Sequence, residues 1–223
     1  MPRFRRKRYG KRYRKRYRKS SGSGFASAYK AVSKYTNWPT IWSAINNIRS
    51  LINVEHKYVD TSYTTAISST GALTHLTSIA QGNDVGDRGG NSVKLTSLFM
   101  RGDLTINASA TISAVRIMVF IWNDNTAPVA TDLLDADNVN SNRNLEKSDK
   151  IRVICDKRYN LIVSTEKRSF PISCYSKLHH HLKFTGAAGT TYESGSIWLY
   201  VVSSEATNTV ANTMNFRIKY LDN

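Results

Sequence analysis

Residues 7–19 read KRYGKRYRKRYRK, one Lys-Arg-Tyr-x tetrapeptide written three times and closed by a lysine. Together with the residues just before them they bring twelve cations into positions 3–19: Arg3, Arg5, Arg6, Lys7, Arg8, Lys11, Arg12, Arg14, Lys15, Arg16, Arg18 and Lys19. Each can neutralise a phosphate and release a condensed counterion, which makes binding to an anionic polymer steep in salt and tolerant of sequence. Arginine also forks onto phosphate oxygens, as lysine does not. Tyr9, Tyr13 and Tyr17 add a second contact. An aromatic ring stacks on an unpaired base for roughly 1–3 kcal/mol, whereas the bases of a duplex are already stacked. The stretch therefore favours single-stranded nucleic acid. As a helix it would set the three tyrosines on one stripe beside Arg8, Arg12 and Arg16; extended, it would space them about 13 Å apart. The sequence leaves both open. The plain alternative is a charge run read only by nuclear import receptors, which need far fewer charges. One arm can serve both roles.

Other reactive residue types form no comparable pattern. His179, His180 and His181 stand in a row, but successive side chains of a strand point to opposite faces, so His180 turns away from the other two. Three consecutive imidazoles are then no three-ligand metal site. Asp132, Asp135 and Asp137 in ATDLLDAD lack the ordered spacing of a calcium loop and read as solvated carboxylates flanking a helix. Neither a P-loop lysine motif nor a GxSxG elbow occurs, and no local signature pairs Cys155 with a histidine. QGNDVGDRGGN at 81–91 has glycines without the GxGxxG order, and is expected to make a turn-rich surface loop in contact with another subunit. No catalytic residue, metal site or cofactor is expected. Cys155 and Cys174 are too few for a disulfide framework, which points to a reducing compartment, with one bridge between them as the alternative.

The elements that must carry the basic stretch follow from the charge distribution. The chain has 223 residues and a net charge of +16. Residues 1–54 hold fifteen Lys and Arg and no acid, whereas residues 55–223 hold seventeen basic and sixteen acidic residues, a net of +1. Residues 1–24 contain no aliphatic side chain beyond Met1 and cannot offset the entropy of folding, so they are expected to be disordered until an anion binds. No apolar segment follows the arginines as in a signal peptide, and AVRIMVFIW at 114–122 is too short to span a membrane. A soluble protein made in the cytosol is expected.

SSGSG at 20–24 reads as a flexible joint. Over 37–52, Trp38, Ile41, Trp42, Ile45, Ile48 and Ile52 recur at three- and four-residue spacings, and Asn37 and Pro39 suit a helix start. Residues 25–53 are therefore read as a linker with an amphipathic helix, and 54–223 as the main domain. There the pattern changes to β runs at about 54–68, 92–107, 111–123, 150–157, 159–170, 176–185, 195–204 and 212–221. ISAVRIMVFIW at 112–122 should lie deep in a sheet, while SIWLYVVS at 196–203 and MNFRIKYL at 214–221 should alternate buried and polar. A long loop over 124–149 should hold a short helix near 128–134. Eight strands without long intervening helices predict an all-β fold, an eight-stranded antiparallel jelly roll built as a two-sheet sandwich.

Gln81-Gly82, Asp87-Arg88 with the following glycines, SLFMRGDL at 97–104, VRIMVFIWNDN at 115–125, PVATDLL at 128–134 and RVICD at 152–156 occur in an order that resembles the capsid proteins of circular single-stranded DNA viruses encoding a replication initiator (circovirus- and nanovirus-like). Those in turn resemble the coat of satellite tobacco necrosis virus. The likeness spans residues 54–220 in layout and about 80 residues in motif. It departs at the two glycines after Arg88, where an apolar residue and one glycine are expected, and at Asn125, where a basic residue or Gln is commoner.

The resemblance implies a homo-oligomeric icosahedral shell of about 60 copies (T=1) with the arms pointing inward, about 900 arm charges against the packaged phosphates. It implies a location in the virion, with assembly in the host nucleus, and import receptors and a host attachment factor as further partners. A nearly neutral body suits close packing of like subunits. Three rivals remain at this level: the coat of a small or satellite single-stranded RNA virus, a cellular basic nucleic-acid-binding protein, and a sugar-active jelly-roll enzyme, for which no carboxylate or histidine cluster is found.

Overall fold

The computed structural model describes residues 42, 43, 45–47, 55–163 and 168–222. The basic arm and most of the helix expected over 37–52 lie outside them. Within that stretch, Trp42, Ser43 and Ile45, Asn46 and Asn47 are helical. The chain divides between Asn53 and Val54, and the two sides are described separately.

The larger part is a two-sheet sandwich. Its strands are β1 (Glu55–Tyr63), β2 (Ala72–His75), β3 (Ser92–Thr105), β4 (Ile112–Trp122), β5 (Ile151–Ile162), β6 (Ser169–Phe184), β7 (Tyr192–Ser194), β8 (Ser196–Ser203) and β9 (Ala211–Asp222), with one helical turn at Ala130–Leu133. One sheet has the order β1-β9-β3-β6-β7 and the other β2-β8-β4-β5. All pairings are antiparallel. β1 pairs with β9, and the connections β1–β2, β2–β3, β3–β4, β5–β6, β7–β8 and β8–β9 pass between the two sheets, which is the jelly-roll winding.

Alternation fixes which face of each strand is buried. In β9, Asn212, Met214, Phe216, Ile218 and Tyr220 point inward while Thr213, Asn215, Arg217 and Lys219 point out. They meet Val93, Leu95, Leu98, Met100 and Leu104 of β3 and, from the opposite sheet, Val115, Ile117, Val119 and Ile121 of β4. Full burial of each such side chain is worth about 1.5–3 kcal/mol, so this one seam dominates the stability of the fold.

Three sequence expectations are corrected. β8 does not alternate: all eight residues of SIWLYVVS are buried. The reason is the 124–149 segment, which buries Leu133, Leu134 and Val139 and anchors to the outer side of the four-stranded sheet. Asp137 accepts hydrogen bonds from Tyr200 Oη and from Gly71 N at 2.7 Å. Arg116 donates to Ser141 O at 2.5 Å and forks onto Asp156 at 2.9 and 2.8 Å. Asp137 is exposed, as expected of a solvated carboxylate, but it also serves as a structural acceptor for two segments. Second, the strands expected at 150–157 and 159–170 are one strand, β5, plus the start of β6, because the polar Lys157–Asn160 run lies on an edge strand with a solvated side. Third, β2 and β7 were not anticipated. β2 covers four residues and β7 three, too few to show a period.

Gly102 in SLFMRGDL marks a close approach of the paired β3 and β9 backbones. A Cβ there would overlap the Thr213 carbonyl oxygen and lie 2.8 Å from Met214 Cα, both backbone atoms that cannot swing aside. Gly102→Ala is therefore expected to destabilise the domain by about 3 kcal/mol or more. Urea unfolding measures this, and a loss under about 1 kcal/mol would contradict so close an approach.

Candidate nucleic-acid interface

The fifteen residues expected to bind nucleic acid, from Arg3 to Lys19, all lie outside the described residues. The structure does place the other sequence candidates. His179 and His181 are exposed and His180 is turned inward, as strand alternation requires. Cys155 of β5 and Cys174 of β6 face each other between the sheets as free thiols, so the alternative bridge is not formed. Burial, with Cys174 beside it, pushes the Cys155 thiol up to about 12, which keeps it protonated and unreactive. Among the described residues, no group of three or more His, Cys, Asp or Glu is arranged to hold a metal ion.

The 80–91 loop is held by its own arginine. Arg88 is wholly buried. Its Nε donates to Ile79 O at 3.1 Å, its terminal nitrogens donate to Gly90 O and Gly186 O, and its guanidinium carbon lies 4.0 Å from the centre of the Phe184 ring. Asp222 at the end of β9 accepts from Gly89 N at 2.6 Å and from Lys57 at 3.2 Å, and Lys57 also donates to Asp87 O at 2.9 Å. Burial lowers the Arg88 pKa, and the nearby Asp222 carboxylate acts against that. The Asp-Arg-Gly-Gly motif is thus an internal staple joining the 80–91 and 184–191 segments.

A histidine that the sequence did not mark occupies an aromatic pocket. His75 of β2 lies 5.0 Å from Trp198 and 5.1 Å from Tyr192, ring centre to ring centre, and its Nε2 is 3.0 Å from Thr77 Oγ1. Burial lowers its pKa from 6.5 to about 4. The unfolded chain therefore takes up a proton near pH 6.5 that the folded chain refuses until about pH 4. This group's contribution to stability is complete above pH 6.5 and is lost as the pH falls towards 4, about 3 kcal/mol in all. His75→Phe should flatten that part of a stability profile recorded from pH 7.5 to 4.5. An unchanged slope would show that His75 is not its source.

The outer face of the five-stranded sheet assembles side chains from four strands that are far apart in sequence. Asp60 of β1 pairs with Arg217 of β9, Arg217 with Phe99 of β3, and Phe99 with Tyr175 of β6, forming one continuous row. Arg217 forks onto Asp60 at 2.8 and 2.6 Å and stands 4.7 Å over the Tyr58 ring. The hydrogen bonds donated by the Arg217 guanidinium hold the Asp60 carboxyl below its usual pKa. The row on one side holds Asn215, Arg101 and Ser173, and the other holds Lys219, Ser97 and Lys177. A groove of about 560 Å³ runs over the first row, lined by Asp60, Ser62, Phe99, Arg101, Asn215 and Arg217. Counting the described outward side chains of all five strands, Lys94, Arg101, Lys177, Lys183, Arg217 and Lys219 face Asp60, Asp103 and Glu193, a net of +3. Residues 55–223 as a whole carry only +1. The remaining surface is therefore net acidic.

A jelly roll with a nearly neutral body, preceded by a densely basic segment, is the arrangement expected of a viral coat protein. The family comparison establishes that class: residues 33–223 match the model of the satellite tobacco necrosis virus coat protein, and the chain belongs to that family. It is thus a structural protein of a viral coat, not an enzyme. Solved structures add distant likenesses. A Desmodium yellow mottle tymovirus chain is 12% identical, with 76% of this chain and 88% of that one covered and a TM-score of 0.37. An infectious bursal disease virus chain (Gx strain) is also 12% identical, with a TM-score of 0.29, and covers 76% of this chain but 32% of its own length. No curated protein matches the sequence.

Proposed function

We propose that this chain self-assembles through its 54–223 domain into a small closed shell, about 60 copies, and packages a single-stranded genome through residues 3–19. The observation that carries this reading is the charge split. Fifteen cations and no acid in residues 1–54 are joined to a body of net +1, so that subunits can pack closely while their arms neutralise phosphate. The genome is read as DNA, on the likeness of the 81–156 motifs to capsids of circular single-stranded DNA viruses. On this reading the protein resides in the virion, the arm also serves nuclear import receptors before assembly, and the outer surface meets a host attachment factor.

Expressing the chain, sizing it and digesting the extracted nucleic acid tests the proposal. Particles whose contents are degraded by DNase are the expected result. Contents degraded by RNase instead would make it the coat of an RNA virus, a reading with which the family match agrees equally well. Monomers free of nucleic acid would contradict the shell.

A further inference from the structure

We propose that the outer face of the five-stranded sheet is a second nucleic-acid contact, a platform on which unpaired bases stack. This rests on the packaging reading above and adds to it a binding site in the shell domain. Tyr175, Tyr58 and Phe99 are 61%, 43% and 40% exposed, all on the side of the sheet turned away from the core. Their arrangement is ordered. Phe99 and Tyr175 are direct cross-strand partners, and Arg217 holds Tyr58 from above. Side chains so paired stand about 5 Å apart, near enough to present a continuous apolar surface. Arg101 flanks the row on one side, and Lys177 and Lys219 on the other. None of these three has an ion-pair partner among the described residues.

Aromatic rings with cations set to either side fit a polymer that alternates planar bases and phosphates. Charge argues against two other occupants, the same face of a second copy and the chain's own N-terminal segment. A second copy of this face would bring +3 against +3. Residues 1–54 have no acid with which to meet it. Single strands are favoured over duplex because only unpaired bases have rings free to stack.

The test uses the full chain with a thymidine-rich DNA strand carrying 5-bromouracil, alone and annealed to its complement, with crosslinks mapped by mass spectrometry. The single strand should crosslink within β3 and β6 as well as within residues 3–19, and the duplex should not crosslink in the strands. Phe99→Ser with Tyr175→Ser should weaken single-strand binding about tenfold or more at an unchanged unfolding midpoint. As a variant that leaves the rings in place, Arg101→Gln with Lys177→Gln and Lys219→Gln should lower the salt slope by about 2. Crosslinks confined to residues 3–19, with both variants binding normally, would overturn the platform and leave the arm intact. Absence of any crosslink or binding would overturn the packaging reading as well. Loss of particles with unchanged crosslinks would also overturn the platform and make the face a subunit contact.

Discussion

Replacing the twelve Lys and Arg of residues 3–19 by glutamine is expected to remove most of the chain's affinity for nucleic acid and most of its salt dependence. Each phosphate neutralised on a single strand contributes about 0.7 to the slope of log K against log salt, so twelve contacts contribute about 8. A slope of that size means a loss of about 10⁴–10⁵ in affinity between 50 and 200 mM salt. The glutamine variant should show little of it. Tyr9, Tyr13 and Tyr17 act through a different term. Changing all three to alanine should keep the slope and weaken only single-strand binding, by about tenfold for each base that had stacked. Fluorescence titrations of a single strand and its duplex at several salt concentrations separate the two effects. If the tyrosine variant lost slope, or lost duplex affinity to the same extent, the division between charge and stacking would be wrong.

Arg88→Ala is expected to be the most damaging single change in the shell domain. It removes a wholly buried side chain, leaves the carbonyl oxygens of Ile79, Gly90 and Gly186 without their donor, and opens a cavity beside Phe184. A cavity of this size costs about 2–5 kcal/mol, and each buried carbonyl left unpaired adds about 1–3. A domain stable by about 5–15 kcal/mol does not absorb such a loss easily. Arg88→Lys retains the charge but cannot fork to carbonyls on three segments, so it should recover only part of the loss. Urea midpoints of the two variants give the measurement. Equal stabilities for Arg88→Lys and the unaltered chain would show that the charge alone, not the guanidinium geometry, holds the loop.

Much of the fold was legible because most of its strands obey local rules. MNFRIKYL alternates, so its burial could be read residue by residue, and ISAVRIMVFIW is nearly continuously apolar because β4 is buried on both sides from Ile117 to Trp122. SIWLYVVS misled for a related reason. Tyr200 looks outward by composition, but the 124–149 segment folds over it and Asp137 accepts its hydroxyl, while Ser196 and Ser203 bond Trp198 and Ser113. β2, four residues of ALTH, has no period to detect. Asp-Arg-Gly-Gly reads as a surface turn, and nothing local says that its arginine is buried against a ring 96 residues away.

The candidate interfaces divide in the same way. The arm is a contiguous pattern and needs no structure to be seen. Tyr58, Phe99, Tyr175 and Arg217 sit on four strands and become neighbours only through the pairing of β1, β9, β3 and β6. The one local hint was the outward register of Arg217 and Lys219 in β9.

The central claim is that the neutral domain builds the shell and the basic arm fills it. Particle mass and the ratio of absorbance at 260 to 280 nm, measured side by side for the full chain and for a chain lacking residues 1–24, test it most directly. The account predicts closed particles from both, with nucleic acid in the full-length particles and little or none in the truncated ones. Truncated particles that hold as much nucleic acid as the full chain would contradict it.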